Sequence, residues 1–257
     1  MNPISFYLNS LYKKTHGYRP TWLPNTPIQL GDVGLLENDV FIKDSTLNDY
    51  GIFFEEITSE SDATIDFSSE RGITLTTKLE GKVEPKAISL GEADAGFIIE
   101  FNHENGFIFR TKGSRTSRID NLGIVKEKVL NRFKQDKWNK NLVIISELIE
   151  AKSATILLSG QAGSKVELKA QGNLKVSTID IADASLNLKL QSGQALAATI
   201  VGQKKITPLY RAIGIKQSFF SGQSVVSREP GSEPQEIEND VEISEIEIET
   251  SGIENNY

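Results

Sequence analysis

The sequence contains no cysteine, and it has only two histidines and one methionine among its 257 residues. The absence of cysteine excludes disulfide bonds, thiolate catalysis and zinc sites built on cysteine. No run approaches the ~18 apolar residues that a transmembrane helix requires. The first residues lack the basic and apolar regions of a signal peptide, and we therefore expect a cytoplasmic protein.

Motifs for catalysis and cofactor binding are also missing. His16 and His103 do not have the spacing of metal ligands, and the sequence has neither a Gly-x-Ser-x-Gly elbow nor a phosphate-binding loop. We expect no enzyme activity, no cofactor and no metal site. Acidic pairs such as Glu55-Glu56 are predicted to lie on the surface, and a glycosidase-like carboxylate pair is the enzymatic alternative. The basic patch Lys112–Lys140 has no recognition motif, so no nucleic-acid partner is expected.

Lysine and arginine are absent from residue 229 onward. Residues 229–257 contain nine glutamates and one aspartate and carry −10, so that the net charge of −7 leaves +3 on residues 1–228. A tail of this kind is typically solvated and disordered. Its alternative is to pair with a sheet as a strand, because four β-branched residues are interleaved with its acids: Val241, Ile243, Ile246 and Ile248. We divide the chain into a β-rich body, residues 1–222, and an acidic linker and tail, residues 223–257.

Hydrophobic periodicity predicts two helices. In Asp120–Lys137 the apolar residues recur at intervals of three and four, which places them on one face of an amphipathic helix with Asp120 as its N-cap. Ile4–Lys14 is predicted to form a short N-terminal helix that ends near Gly17. The rest is rich in short alternating stretches. The expected fold is therefore α+β, a twisted and mainly antiparallel β-sheet with a packed amphipathic helix and the short N-terminal helix.

Strands are predicted on both sides of the central helix. Asn141–Glu150 and Ala154–Leu158 read as two strands after it. Before it, the strands Ala95–Phe101 and Gly106–Thr111 flank a segment that ends in Asn-Gly, which predicts a β-hairpin. The basic, Gly- and Ser-containing stretch Lys112–Arg118 is predicted to be a loop.

Two strands have the alternation that suits either a half-buried sheet or a membrane β-barrel. The clearest is Ser185–Gln191, and a second is Gly72–Leu79. Their candidate membrane-strand residues are Leu186, Leu188, Leu190, Ile73 and Leu75. The candidate contacts to anionic lipid headgroups are Lys13, Lys14, Arg19, Lys112, Arg115 and Arg118. Packing of the N-terminal segment against the core is the alternative to its contact with lipid.

The order of these elements resembles the pore-forming domain of gasdermins, especially the compact bacterial ones. The resemblance rests on the amphipathic N-terminal helix, on two β-hairpin regions at Ala63–Thr111 and Ser164–Val201, and on Ile119–Glu150 between them. The closest local likeness is Asn141–Leu158 with the following Gly160–Gly163 turn. The acylated cysteine of bacterial members has no counterpart here.

The resemblance implies a pore that a protease releases. The C-terminal segment would inhibit the body, cleavage would free it, and the hairpins would lengthen into the strands of a membrane homo-oligomer that causes cell death in defence. The partners implied are an activating protease and, after activation, anionic membrane lipid. The alternative is a non-enzymatic β-rich binding or assembly module whose acidic tail binds a partner.

The first prediction concerns Leu188 in the alternating strand. Leu188→Asp places a charge on the apolar face, so it should lower the melting temperature of the body or abolish vesicle leakage. Thermal unfolding and dye release measure the two effects. A variant with unchanged melting temperature and unchanged leakage would show that the strand is neither core nor membrane segment.

Overall fold

A computed structural model describes residues 3–22, 26–69, 73–79, 82–84, 96–170, 186–192, 196–217 and 241–246. These residues form two helices and fourteen strands. The helices are α1 (Pro3–Lys14) and α2 (Leu122–Lys134). The strands are β1 (Arg19–Pro20), β2 (Asp32–Glu37), β3 (Val40–Thr46), β4 (Glu56–Thr58), β5 (Ala63–Ser68), β6 (Ile73–Leu79), β7 (Lys82–Glu84), β8 (Gly96–Phe101), β9 (Phe107–Ile119), β10 (Val143–Ser159), β11 (Ser164–Ala170), β12 (Leu186–Ser192), β13 (Leu196–Gln217) and β14 (Val241–Glu245).

These strands form two antiparallel sheets. In the nine-stranded main sheet, β1, β13, β10, β2 and β3 are neighbours in that order, β9 also pairs with β10, β4 and β5 pair with β9, and β14 pairs with β13. The five-stranded smaller sheet has the order β12-β11-β8-β6-β7. The two helices and the mainly antiparallel sheets confirm the predicted α+β fold.

Four strands of the main sheet continue into the smaller sheet, and their order is kept. Along the chain β5 leads into β6, β8 into β9, β10 into β11, and β12 into β13. The order β5-β9-β10-β13 in the main sheet becomes β6-β8-β11-β12 in the smaller one. The smaller sheet therefore contains two antiparallel pairs, β6 with β8 and β11 with β12, joined along β8 and β11, and the short strand β7 extends it at β6.

Hydrogen bonds link neighbouring strands where the chain passes between the sheets. The N–H of Ser159 donates to the carbonyl of Gly106 at 2.8 Å, and the N–H of Gly163 donates to that of Phe101 at 2.7 Å. The buried hydroxyls of Ser159 and Ser164 are 3.1 Å apart. The Phe101 ring packs so closely on Gly106 that an added Cβ would lie 2.7 Å from its Cδ1. A larger residue at position 106 would therefore displace this ring.

Each helix packs on its own section of the main sheet. Under α2, Val125 and Val129 are buried with the register pair formed by Ile144 of β10 and Ile213 of β13. We call this group the α2 cluster. Burial of its apolar side chains supplies the main stabilisation of the helix, because α2 has no side-chain cap.

Helix α1 covers a second group, the α1 cluster. Tyr7, Leu8 and Leu11 are buried against the register pair formed by Ile149 of β10 and Leu209 of β13, together with aromatic residues of β9. The spacing of three and four puts these helix residues on one face. The observed helix Pro3–Lys14 agrees with the prediction to within one residue.

The predicted hairpin between Ala95–Phe101 and Gly106–Thr111 is wrong. Strand β8 pairs with β6 and β11 in the smaller sheet, whereas β9 pairs with β10, β4 and β5 in the main sheet. The turn conformation is present, with Asn105 at a φ of 61°, but the chain uses it to pass between sheets. Alternation of apolar and polar residues predicts which face of a strand is buried. It does not predict which other strand pairs with it.

The predicted loop Lys112–Arg118 is also wrong, because these residues continue β9. Ser114 and Ser117 are buried, and their hydroxyls bond to those of Thr111 at 2.6 Å and Thr58 at 2.7 Å. Buried hydroxyl groups are tolerated when they have such partners. The polar composition that suggested a loop is therefore accommodated inside a paired strand.

Two predicted strands are one in the structure. β10 runs without a break through Lys152 and Ser153, which were expected to separate Asn141–Glu150 from Ala154–Leu158. Ser153 is buried and pairs with β9 on one side and β13 on the other. Pairing on both sides keeps the polar dipeptide extended.

Helix α2 is shorter than the predicted Asp120–Lys137. It begins after Asn121, which stands at the N-cap in place of the predicted Asp120. The Asn121 side-chain oxygen accepts the N–H of Glu55 at 2.9 Å, and it makes no capping bond within the helix. The start of α2 is thus tied to the chain segment before β4.

The second prediction tests the packing of α1. Leu11→Ala removes a side chain with no exposed surface, and such a deletion should cost about 2–5 kcal/mol of unfolding free energy. Lys13→Ala on the exposed side of the same helix should change it by less than about 0.5 kcal/mol. Urea unfolding of both variants makes the comparison, and equal midpoints would contradict the described packing.

Candidate functional site

The described part of the acidic tail, residues 241–246, adds a strand to the main sheet. β14 pairs antiparallel with the end of β13, where Ile243 lies opposite Ile215. Beyond the strand, the N–H of Ile246 donates to the carbonyl of Ala212 at 3.2 Å. The prediction that the tail can pair with the sheet is confirmed for these residues.

Two apolar side chains of the tail pack against two different apolar clusters of the body. Ile243 is 6% exposed and belongs to the α2 cluster. Ile246 is half-buried against a different group, which contains Tyr210. Gly214 provides the space, since a Cβ added there would lie 2.8 Å from Cδ1 of Ile246.

Arg211 of β13 connects the tail to β10 and to the end of α1. Its Nη1 lies 2.7 Å from Oε1 of Glu245, and its Nε lies 3.7 Å from Oε2 of Glu147. Its Nη2 donates to the carbonyl of His16 at 2.9 Å, and its guanidinium lies 4.4 Å from the centre of the Tyr18 ring. We call these five residues the Arg211 cluster; the planar guanidinium can make all of these contacts at once.

The pKa values of Tyr18 and Arg211 are both raised, so both side chains keep the protons that they donate in the Arg211 cluster. The Tyr18 hydroxyl donates to Glu147. Burial, this hydrogen bond and the charge of Glu147 raise the pKa of Tyr18 well above its usual value, so Tyr18 remains a donor. Burial opposes the charge on Arg211, but the carboxylates of Glu245 and Glu147 outweigh it and raise the pKa of Arg211.

The Arg211 cluster lies between the two helices. Glu147 and Arg211 are register partners on β10 and β13. Two positions along β13 on one side lies the pair Ile144–Ile213, which is buried under α2. Two positions along on the other side lies the pair Ile149–Leu209, which is buried under α1. The tail therefore reaches a polar position that borders both apolar clusters.

Arg19 holds the tail from a second point. Its side chain is 2% exposed, its Nη1 lies 3.0 Å from Oδ1 of Asp39, and its Nη2 donates to the carbonyl of Ile246 at 2.8 Å. Arg19 was predicted to be a surface contact to lipid, and the structure instead places it inside. A buried guanidinium requires acceptors, and Asp39 and the tail carbonyl provide them.

The other cations predicted to contact lipid lie at two places. Lys13 and Lys14 are in the last turn of α1, and three exposed cations lie along β9: Lys112, Arg115 and Arg118. The two groups therefore lie on different elements, the last turn of α1 and strand β9. Arg115 is ion-paired, because its Nε lies 2.6 Å from Oδ1 of Asp62. Hydrogen bonds from Lys152 and Arg115 lower the pKa of Asp62.

The predicted membrane-strand residues fall on two strands of the smaller sheet, with Leu186, Leu188 and Leu190 in β12 and Ile73 and Leu75 in β6. Leu188 lies opposite Leu168 of β11, which has no exposed surface. Ile73 is partly buried. The side-chain packing of Leu75 and of the three β12 leucines lies outside the described residues.

Part of the predicted inhibitory region also lies outside the described residues. This applies to Ile248, to the side chain of Val241 and to the predicted release site Gly222–Gln235. Within the described ranges, no group of histidine, aspartate and glutamate side chains could hold a metal ion. In the same part of the chain, neither helix combines the length and the apolar character needed to cross a membrane.

Sequence reasoning missed the Arg211 cluster. A usable signal was present, since Glu147 and Arg211 are single charges within apolar strand segments, Val143–Ile149 and Leu209–Ile215. Opposite charges in two buried strands suggest a cross-strand pair. The role of Glu245 gave no such signal, because it is one acid among many in the tail.

The third prediction separates the two kinds of tail contact. Ile243→Asp puts a carboxylate into the α2 cluster, which costs several kcal/mol without a partner, so the tail strand should detach. Glu245→Gln removes an ion pair whose members are 25% and 49% exposed, and such pairs contribute only about 0–1 kcal/mol. Amide hydrogen exchange of residues 213–217 should therefore accelerate strongly in the first variant and little in the second. Equal protection in both would contradict this ranking.

The chain matches no protein-family model and no curated protein sequence. Its functional interpretation therefore rests on the geometry given above, in which a strand of the acidic tail is held on the edge of the main sheet.

Proposed function

We propose that the chain is an autoinhibited, gasdermin-like pore-forming protein whose acidic tail is the inhibitor. A protease cuts the linker, the tail leaves, and the released bodies assemble on anionic membrane as a homo-oligomer that permeabilises it and causes cell death in defence. The protein is cytoplasmic at rest and on the membrane when active, and the process needs no enzyme activity, cofactor or nucleic acid. The observation that carries the proposal is the position of β14 on the outer edge of β13.

That edge matters because a membrane barrel leaves no strand edge unpaired. The four continuing strands of the main sheet have β5 and β13 as their outer members. Contact of β13 in one copy with β5 in the next is head-to-tail, and repetition of such a contact forms a ring when the rotation between neighbouring copies closes. In the resting chain β1 and β14 pair with β13 within residues 209–217. The tail strand thus occupies backbone groups that this contact would need.

The smaller sheet supports the proposal as the source of membrane strands. Its pairs β6 with β8 and β11 with β12 continue the strands of the main sheet in the same order. β6, β11 and β12 are seven residues long and β8 is six. A transmembrane β-strand needs about 9–11 residues, so insertion requires these strands to lengthen.

The change in net charge on removal of the tail supports the proposed order of cleavage, tail release and membrane binding. Removal of residues 229–257 takes away −10 and leaves a body of +3. An anionic leaflet attracts each nearby cation with roughly 1 kcal/mol, and a net acidic chain is repelled. Exposed cations of the body, such as Lys112 and Arg118 on β9, would then face the lipid without the opposing charge of the tail.

The alternative function is a binding or assembly module with a partner-binding tail. The observation that favours it is the exposure of apolar side chains near the start of α2 and in the segment before β4: Phe53 is 70% exposed and Ile124 is 51% exposed. Exposed apolar groups suit a protein interface as well as a lipid surface. A module of this kind would not permeabilise vesicles with or without its tail.

The fourth prediction is a comparison of full-length and shortened protein on the same vesicles. A chain that ends at Gly222 should bind anionic liposomes and release their dye, whereas the full-length chain should not. Binding should fall as salt rises, because screening weakens attraction between exposed charges. Dye release and cosedimentation measure the two effects, with uncharged liposomes as the control.

A full-length variant provides the matched test without truncation. Ile243→Asp with Ile246→Asp should undock the tail while the acidic residues remain attached, so leakage should be intermediate between the two proteins above. Glu245→Gln should stay close to the full-length chain. Equal and negligible leakage from the full-length and truncated proteins would reject the pore and leave the binding module.

A further inference from the structure

The surface under the tail strand has the features of a peptide-binding site. We define the tail slot as residues 211–217 of β13 together with Arg19 and the edge of the α2 cluster. We propose that the tail slot selects extended acidic peptides by sequence and binds residues 241–246 of a second copy in trans. This inference rests on contacts in the resting chain and does not depend on the pore.

The tail slot combines backbone pairing with side-chain recognition. β13 offers an edge that pairs with an added antiparallel strand, which is a general mode of peptide binding. Three side chains of the added segment meet distinct partners: Ile243 enters the α2 cluster, Glu245 meets Arg211, and Ile246 meets Gly214. The recognised pattern is therefore Ile-x-Glu-Ile.

Side chains alternate between the two faces of a strand, so this pattern fits the tail slot in one register only. Ile243 and Glu245 are two residues apart in a strand, so both project from the same face. Ile246 follows at once and packs near Gly214 instead. A shift of one residue in one direction would put Glu242 where Ile243 is buried at 6% exposure and Ser244 at Arg211. A shift in the other direction would put Ser244 in the buried position and Ile246 at Arg211. Acidic segments that lack this spacing should therefore bind weakly.

The tail slot keeps its charges paired when it is empty. Without the tail, Arg211 still has Glu147 and the carbonyl of His16. Arg19 still has Asp39 at 3.0 Å. Neither guanidinium is left buried without an acceptor, and a site that does not rearrange loses less free energy on binding.

A second copy of the tail is the occupant that the contacts fit. Every contact named above comes from residues 241–246, and none of them involves the connection to β13. The same segment from another chain would therefore make identical contacts, and exchange of an identical element between copies is a low-cost route to association. A tail cut from one copy would likewise bind an emptied slot on another.

The fifth prediction is tested on the full-length chain by fluorescence anisotropy. Ile243→Asp with Ile246→Asp empties the slot, and the probe is a labelled synthetic peptide with the sequence of residues 239–249. The peptide should bind the double variant saturably and the unmodified chain far more weakly, because there its own tail fills the slot. No binding to the double variant, with circular dichroism showing it folded, would overturn the proposal.

Charge reversal tests the selectivity. A peptide with Glu245→Lys should bind the emptied chain at least about tenfold more weakly, and Arg211→Glu in that chain should reverse the preference. Gly214→Val is the second variant, since a side chain there fills the space of Ile246 and leaves both arginines in the sequence, and it should abolish binding. Equal affinity for both peptides, or unchanged binding to the Gly214→Val variant, would overturn selective recognition. If the Arg211→Glu variant does not fold, the Gly214→Val variant alone provides the test.

Discussion

The outer edge of β13 is the constraint on which the rest of the arrangement depends. β13 is 22 residues long and pairs with β10 along most of its inner edge. Its outer backbone groups near the end need partners too, because unpaired strand edges invite association. β1 and β14 provide these partners within residues 209–217. The N-terminal segment and the acidic tail, which are far apart in sequence, therefore meet on one strand.

The tail strand is held mainly by backbone pairing with β13 and by the burial of Ile243 and Ile246. The ion pair between Glu245 and Arg211 is partly exposed and adds little. The loss of chain entropy on ordering the segment opposes docking. The covalent link keeps the segment close to its site and so favours docking. Cleavage of the linker, as proposed above, would remove this advantage.

Local patterns predicted the helices well and the partners of the strands poorly. The bounds of α1 follow from one amphipathic face, whereas the hairpin at Asn102–Gly106 failed because alternation does not say which strand lies alongside. Lys112–Arg118 has the composition of a loop, but β10 and the short strands β4 and β5 pair with it as a strand. In the candidate site, the tail strand was predictable from its isoleucines. The burial of Arg19 was not, since it depends on Asp39 and on the carbonyl of Ile246, far along the chain.

The distribution of charge is compatible with the proposed release of the tail. Removing one partner of a buried ion pair commonly costs about 3–5 kcal/mol, because the other charge is left without compensation. Here each arginine that contacts the tail also has an acid of the body, Glu147 for Arg211 and Asp39 for Arg19. Departure of the tail therefore removes a second acceptor and never the last one. The body avoids the penalty that would otherwise lock the tail in place, and tail occupancy is decided mainly by strand pairing and by two isoleucines.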